Sequence, residues 1–188
     1  MKILLYIIGI IILLFIAFSL YWRMTHRRQA APAVNLTVTS TAFADGGDIP
    51  VKYTGRGENV SPQLKLEGIA SNAVSIAVVM DDIDFPFGVL NHWIIWNVPA
   101  AFTEIPEAIP RTDELPSLGG AIQGKSEYGG KHYYRGPLPP FGSHKYLFKV
   151  YVLDVLLDLP KDAGIAKLEK AMEGHILQYG TITGKYGN

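Results

Sequence analysis

The sequence predicts a mainly β protein: an antiparallel β-sandwich with a C-terminal helix, preceded by one transmembrane helix. Three observations support this fold class. Short apolar and β-branched runs alternate with turns rich in Gly and Pro through most of the chain, which is the pattern of packed antiparallel sheets. Apolar residues recur at helical spacing late in the chain, and an uncharged apolar run lies at the N-terminus.

The N-terminal run extends from Ile3 to Trp22 without a charged residue. A helix rises 1.5 Å per residue, so about 20 apolar residues cross a hydrocarbon core of about 30 Å. We therefore expect residues 1–24 to form an uncleaved membrane anchor. A cleaved signal peptide is the alternative, because Ala31-Pro32-Ala33 is similar to a cleavage site, although the apolar region of a signal peptide spans only about 7–15 residues.

The flanks of this run leave the orientation of the predicted anchor open. Lys2 precedes the run, whereas three arginines follow it within six residues of its end, and positive charge favours the cytoplasmic side. We predict a single-pass membrane protein and leave the side of its domain undecided. Residues 25–35 are polar with Ala and Pro and are predicted to be a linker, and residues 36–188 are predicted to be one domain.

Strands are predicted from the apolar pattern. Residues 36–40 alternate, as in a half-buried strand, whereas residues 73–80 and 93–98 are almost continuously apolar and suit central strands. Many prolines interrupt residues 99–143, which are predicted to be mostly loops. One amphipathic helix is predicted, with Asp162 as a candidate N-cap. Its apolar residues recur at three- and four-residue steps: Ile165, Leu168, Met172 and Ile176.

The composition argues against several classes of function. Lys plus Arg and Asp plus Glu are balanced at 17 each, so the chain lacks the basic surplus that nucleic-acid-binding proteins carry. It has no Cys, which excludes disulfides, zinc–thiolate sites and a thiol nucleophile. It also has no G-x-S-x-G motif, so a serine hydrolase of that kind is not expected.

A Gly- and Pro-rich loop is the most informative part of the predicted domain. It extends from Gly136 to Tyr146 and leads into an apolar run at 147–154 that is typical of a strand. His144 and Tyr146 are two residues apart and therefore face the same side of a sheet. Glycine allows the backbone to approach a ligand, and prolines such as Pro137 stiffen the loop. This arrangement predicts a small anion pocket that needs no metal.

A second segment supplies complementary groups. It places Asp82, Asp84 and Pro86 in a turn, and His92 at the start of an apolar strand. By themselves, the two aspartates are typical of turns in which the side chain bonds its own backbone. A lone His in an apolar strand is more often a packed core residue. Their interpretation as a site depends on whether the fold brings His92 to His144.

Together the two segments resemble the motifs of the phosphatidylethanolamine-binding protein family, in its bacterial and archaeal branch. The family's D-P-D-x-P loop followed by His-Trp is similar to residues 82–93, and its G-x-P-P-x-G-x-H-R-Y motif is similar to residues 136–146. The resemblance covers roughly residues 36–187. Departures from the family's Pro, aromatic residue and Arg affect the pocket rim more than the fold. These departures are Ile83, Asn91 and Lys145.

The resemblance implies two packed sheets with a ligand pocket at one end. It implies a non-enzymatic binding module for phosphoryl-containing anions, either phospholipid head groups or phosphorylated partners. A kinase or protease partner follows from the same resemblance, whereas no cofactor, metal, nucleic acid or catalytic residue is expected. The expected ligand-binding residues are Asp82, His92, Gly136, Pro137, His144 and Tyr146, supported by Asp84 and Pro86.

A metal-dependent enzyme is the alternative function. Asp82, His92 and His144 provide the two imidazoles and one carboxylate that form the protein face of some metal sites. The chain has no His-x-His pair of the cupin kind, so the binding module has the stronger support.

Overall fold

The computed structural model of the protein describes residues 12–19 and 36–188. Within these residues the helices are α1 (residues 12–19) and α2 (Ile165–Met172), with short 3-10 helices at Val51–Tyr53 and Pro116–Leu118. The strands are β1 (Thr37–Thr39), β2 (Leu64–Glu67), β3 (Ser75–Asp82), β4 (Leu90–Pro99), β5 (Glu104–Ile105), β6 (Glu114–Leu115), β7 (Ala121–Gln123), β8 (Ser143–Leu153) and β9 (Ile176–Gly187).

The strands form two antiparallel sheets. The smaller sheet has the order β1-β2-β5, and the larger one has the order β6-β7-β4-β3-β8-β9. One buried apolar cluster joins the facing sides of the two sheets, and a second joins the other face of the larger sheet to α2. The prediction of a mainly β fold with antiparallel sheets and a C-terminal helix is therefore confirmed.

Both faces of strand β3 are covered, which explains its almost continuous apolar sequence. Ile76, Val78 and Met80 belong to the core between the sheets, whereas Ala77 and Val79 belong to the core beneath α2. All five side chains are fully buried. Because successive residues of a strand point to opposite faces, a strand buried on both sides needs apolar residues at every position.

The two tryptophans of β4 lie on opposite faces of the larger sheet. Trp93 is buried between the sheets, where its Nε1 donates a hydrogen bond to Oε1 of Gln123 at 2.7 Å. Trp96 is buried beneath α2. An offset of three residues reverses the face of a strand, so the two indoles stabilise different layers.

Helix α2 ends earlier than the apolar spacing predicts. After Met172, Glu173 leaves the helical conformation and Gly174 has a φ of +79°, a left-handed conformation that glycine adopts without steric cost. Ile176 therefore begins β9 instead of extending the helix. The predicted N-cap is also wrong, because Gly164 occupies that position and no side chain caps the helix.

The predicted transmembrane helix is not supported. Within residues 12–19 and 36–188, no helix combines the length and the apolar content that crossing a bilayer requires. Helix α1 comprises only eight described residues, and the remainder of the predicted anchor at 1–24, like the predicted linker at 25–35, lies outside the described residues. On this finding, the prediction of a single-pass membrane protein is wrong.

Candidate functional site

The predicted site residues come from the ends of three neighbouring strands. Strand β3 is antiparallel to both β4 and β8, so its C-terminal end lies beside the N-terminal ends of the other two. Asp82 ends β3 and pairs with Tyr146 of β8, while His92 lies near the start of β4. The fold thus brings together two sequence segments that are about 60 residues apart, as the hydrogen bond between Asp82 and His144 shows directly.

Asp82 and His144 form a buried pair. The Oδ2 atom of Asp82 lies 2.7 Å from Nδ1 of His144, and the two side chains are 4% and 8% exposed. A carboxylate oxygen only accepts, so Nδ1 carries the hydrogen and the ring is held with Nε2 on its far side. Within the described part of the chain, that Nε2 makes no hydrogen bond. The pair therefore fixes the tautomer of this ring and leaves Nε2 as its unbonded nitrogen.

The two aspartates of the loop have different roles. Oδ1 of Asp82 accepts a hydrogen bond from the backbone N–H of Asp84 at 3.0 Å, so Asp82 makes the predicted turn contact as well as the pair with His144. Oδ2 of Asp84 accepts from the backbone N–H of Lys145 at 3.0 Å. Asp84 thus ties the loop to the start of β8 and does not contact a histidine ring. Pro86 is exposed in a turn closed by Gly88 N–H and Phe85 O at 3.0 Å.

A β-bulge directs His92 toward the same site. Met80 pairs with Trp93 and Asp81 pairs with Asn91, so His92 is an extra residue between two regular pairs. Bulges of this kind redirect a side chain relative to the strand alternation. As a result, the ring of His92 lies 5.4 Å from the ring of Tyr146, centroid to centroid, in an edge-to-face contact.

The ring of His92 is buried and held on two sides. Its Nδ1 lies 2.8 Å from the carbonyl oxygen of Arg135, which can only accept, so Nδ1 is the protonated nitrogen. The ring of Tyr128 stacks on it at 4.4 Å. Burial lowers the pKa of His92, and the carbonyl of Arg135 and the carboxylates of Asp82 and Asp81 offset only part of that effect.

The ring of Tyr146 neighbours both imidazoles. Its ring centroid is 5.4 Å from that of His92 and 6.5 Å from that of His144. Its hydroxyl is buried and has no hydrogen-bond partner among the described residues. Burial, together with the nearby carboxylate of Asp82, raises the pKa of Tyr146 well above its usual value, so the hydroxyl keeps its proton and can donate it to a ligand.

Gly136 and Pro137 shape the loop and contact the segment around residues 53–59. The N–H of Gly136 donates to Oδ1 of Asn59 at 2.7 Å, and the carbonyl of Pro137 accepts from Gly55 N–H at 2.9 Å. The Gly136 N–H is therefore already used inside the protein. This amide is not available to donate to a ligand.

Replacing Gly136 with Ala is expected to displace the loop. An added Cβ would lie 2.2 Å from the carbonyl oxygen of Tyr53, and a backbone atom cannot move aside as a side-chain tip can. We expect a loss of about 1–3 kcal/mol in the free energy of unfolding together with weaker anion binding. Thermal melts and anion titrations measure both effects.

Gly174→Ala is the matched control for that loop variant. Gly174 has a positive φ, which Gly136 does not, and no atom lies within 4 Å of an added Cβ. Backbone strain alone should lower its free energy of unfolding by about 1–2 kcal/mol, and its anion affinity should be unchanged. Unaltered anion affinity in Gly136→Ala would show that the loop does not shape the site.

Three aromatic or basic residues before Gly136 have separate roles. Tyr134 is a core residue, edge-on to Trp93 at 5.4 Å, with its hydroxyl donating to the carbonyl of Tyr53 at 2.8 Å. The guanidinium of Arg135 lies 4.5 Å from the ring centroid of Tyr128, and no described carboxylate is within ion-pair distance of it. Tyr133 lies under Arg111 instead.

Sequence reasoning missed Tyr128. It lies between the predicted motifs, in a stretch without a recognisable spacing, and only the tertiary structure brings its ring onto His92. The result is a layered arrangement in which the guanidinium of Arg135 covers Tyr128, and Tyr128 covers His92. A positive charge is thus held close to the buried imidazole, where it would favour a bound anion.

The residues considered for a metal site do not form one in the described ranges. Across residues 12–19 and 36–188, no group of three or more His, Cys, Asp and Glu side chains is placed to hold a metal ion. Nδ1 of His92 and Nδ1 of His144 are already bonded, to a backbone carbonyl and to Asp82 respectively. No observation here favours the alternative of a metal-dependent enzyme.

Sequence comparisons identify the proteins that this chain is similar to. The family profile described as phosphatidylethanolamine-binding protein matches residues 39–187. The chain is 46% identical over 149 residues to a UPF0098 protein of Pyrococcus horikoshii, a match that covers 78% of this chain and 74% of that protein. It is 47% identical over 149 residues to a UPF0098 protein of Pyrococcus abyssi, covering 78% of this chain and 83% of that protein.

Two solved structures are similar in fold. A homolog of phosphatidylethanolamine-binding protein from Chlamydia trachomatis superposes with a TM-score of 0.74 at 30% identity, covering 83% of this chain and 99% of that one. Escherichia coli YbcL, described as a member of the mammalian family, gives a TM-score of 0.75 at 28% identity, covering 81% and 98%. With its two motifs, its paired sheets and these relatives, the chain belongs to the phosphatidylethanolamine-binding protein family.

Proposed function

We propose that this chain is a non-enzymatic binding module for phosphoryl-containing anions. The observation that carries the proposal is the buried pair of Asp82 and His144, whose imidazole lies 6.5 Å, centroid to centroid, from the ring of Tyr146. When the ring of His144 carries both protons, Nδ1–H donates to Asp82 and Nε2–H is free to donate to an anion. His92 and the guanidinium of Arg135 add further positive charge when an anion is bound.

The chemistry of these groups suits a tetrahedral oxyanion. Phosphoryl oxygens accept several hydrogen bonds at once, and imidazolium and phenol are donors of the required kind. The family's descriptive name points to a phosphoryl head group, which supports this ligand class for the present chain. A regulatory role toward a kinase or protease belongs to the same proposal and rests on the family resemblance alone. We assign no catalytic residue.

Anion affinity is expected to be about tenfold higher near pH 6 than near pH 8.5, since imidazole titrates near pH 6.5 and a bound anion favours the protonated ring. Burial lowers the pKa of His92 in the free protein. Without a ligand, the folded protein therefore protonates His92 only at a pH below that at which free imidazole titrates. Calorimetry with sulfate tests the prediction without interference, because sulfate keeps its charge over this range. Equal affinity at both pH values would contradict imidazole-based recognition.

The stability of the free protein should change in the opposite direction. Because the pKa of His92 is lowered on folding, the unfolded chain binds more protons than the folded one below about pH 6.5. The free energy of unfolding therefore falls as the pH decreases through that value, and sulfate should raise the melting temperature more at acidic than at alkaline pH.

The source of the phosphoryl group needs a separate comparison. Glycerophosphoethanolamine presents a lipid head group as a phosphodiester, whereas a phosphoserine peptide presents a phosphomonoester on a polypeptide. Titrating both at about pH 6, against an unphosphorylated peptide of the same sequence, separates the two sources. Failure of both ligands and of sulfate to bind would remove the proposed function.

A further inference from the structure

A second polar cluster lies directly behind the candidate site. Asp81 lies on the opposite face of β3 from Asp82, because successive residues of a strand alternate between faces. It forms an ion pair with Lys149 of β8, with Oδ2 and Nζ 2.7 Å apart. The side chains of Asp81 and Lys149 are 1% and 9% exposed. Asn91 of β4 is fully buried beside them, and its Nδ2 donates to Oδ1 of Asp81 at 3.0 Å.

The contacts of Asn91 span the bulge that contains His92. Its Nδ2 also lies 3.0 Å from the carbonyl oxygen of Met80 and 3.2 Å from that of Trp93. These two residues form the last regular pair before the bulge. Asn91 lies in the first pair on the other side of the bulge. Its amide therefore reaches across the irregular stretch to both strands, where the ladder hydrogen bonds of a regular sheet are interrupted.

The backbone of Asn91 also holds the residue that covers His92. Its carbonyl accepts a hydrogen bond from Tyr128 N–H at 2.8 Å, and its N–H donates to Oε2 of Glu127 at 2.9 Å. The ring of Tyr128 stacks on His92. Both the bulge beneath His92 and the aromatic ring above it are thus connected to the same residue.

We propose that Asn91, held in place by the buried pair of Asp81 and Lys149, is the positioning residue that sets the orientation of the His92 ring in the site. Asn91 does not contact the ligand in this proposal; it acts through the bulge and through Tyr128. The charged groups that face Asn91 are Asp81, Lys149 and Glu127, and the ammonium of Lys149 balances Asp81 in the buried cluster. The effect on anion affinity rests on the proposed function, whereas the effect on the ring of His92 does not.

The experiment compares two asparagines of β4 in the full chain. Asn91→Ala removes the amide that spans the first bulge. The control is Asn97→Gly: Asn97 lies at the other irregularity of β4, has a φ of +61°, and bonds through its side chain to the backbone of Leu157. Glycine adopts that φ without strain, so Asn97→Gly loses only the side-chain hydrogen bonds. Each variant thus loses hydrogen bonds from a side chain to the backbone, but only Asn91 lies beside His92.

Three quantities are measured for each variant: the melting temperature, the affinity for sulfate near pH 6, and the ¹H–¹⁵N signals of the histidine rings. We expect Asn91→Ala to shift the His92 ring signals, leave those of His144 in place, and weaken sulfate binding about threefold to tenfold, the range that one neutral hydrogen bond would contribute. Asn97→Gly should lower only the melting temperature. Asn91→Ser, which retains one donor, replaces the Ala variant if that variant does not fold.

The outcome against the proposal is equally definite. If Asn91→Ala melts lower but keeps the His92 ring signals and the sulfate affinity of the unmodified chain, Asn91 serves stability alone. If the unmodified chain binds neither sulfate nor the two phosphoryl ligands, the proposed function fails. The His92 ring signals of Asn91→Ala then test the positioning role by themselves. Unshifted signals overturn it, and shifted signals support it.

Discussion

His144→Asn is expected to weaken anion binding about tenfold to hundredfold while the domain stays folded. The amide nitrogen of Asn lies close to the position of Nδ1 in His, so the hydrogen bond to Asp82 at 2.7 Å is retained. Nε2, the atom proposed to reach the ligand, is lost. A charge-assisted hydrogen bond contributes about 1.5–3 kcal/mol, which corresponds to about a tenfold to hundredfold loss of affinity.

Two further variants test whether the loss of affinity is specific to Nε2 of His144. His175→Asn is the matched control, because His175 also bonds through Nδ1 to a carboxylate, Asp154, at 2.9 Å, but both side chains are exposed. It should leave anion affinity and stability unchanged. His144→Ala removes the partner of a buried carboxylate and should also lower the free energy of unfolding, by about 1–3 kcal/mol. Normal binding by His144→Asn would show that His144 is not the ligand-binding imidazole.

Trp96→Ala is expected to cause the largest loss of stability. Trp96 is fully buried beneath α2, and an added Cβ on Gly124 would lie only 2.2 Å from its ring, so the indole is tightly enclosed. Truncating a buried aromatic side chain costs about 3–5 kcal/mol, out of the roughly 5–15 kcal/mol that holds a typical domain together. Denaturant titration measures the change, and sulfate titration below the melting point should give near-normal affinity.

Trp96→Phe separates packing from hydrogen bonding at this position. Nε1 of Trp96 is buried and has no partner among the described residues, so its removal also relieves an unsatisfied donor. We expect a much smaller loss than for Ala, on the order of 1 kcal/mol. Equal losses for Phe and Ala would mean that the indole N–H has a partner that stabilises the fold.

The sequence by itself determined the layers of the domain and predicted the main members of the candidate site. Apolar runs at 73–80 and 93–98 predicted central strands, because burial on both faces leaves little room for polar residues. The first run overlaps β3 from Ser75 onward, and the second lies within β4. The two-residue spacing of His144 and Tyr146 placed both on one face of β8. Motif order and spacing carried the family assignment, since local residue types and separations are what a chain encodes most directly.

Only the tertiary structure decided how the site is assembled. The bulge that directs His92 depends on the pairing of β3 with β4, and the stacking of Tyr128 on His92 depends on a loop that no periodicity describes. The C-terminal helix ends at Met172 because the chain must return as β9. The N-terminal apolar run predicted a membrane anchor, and the structure does not support it. Register, bulges and loop contacts arise from hydrogen bonds between distant segments, and single-sequence patterns contain no direct record of them.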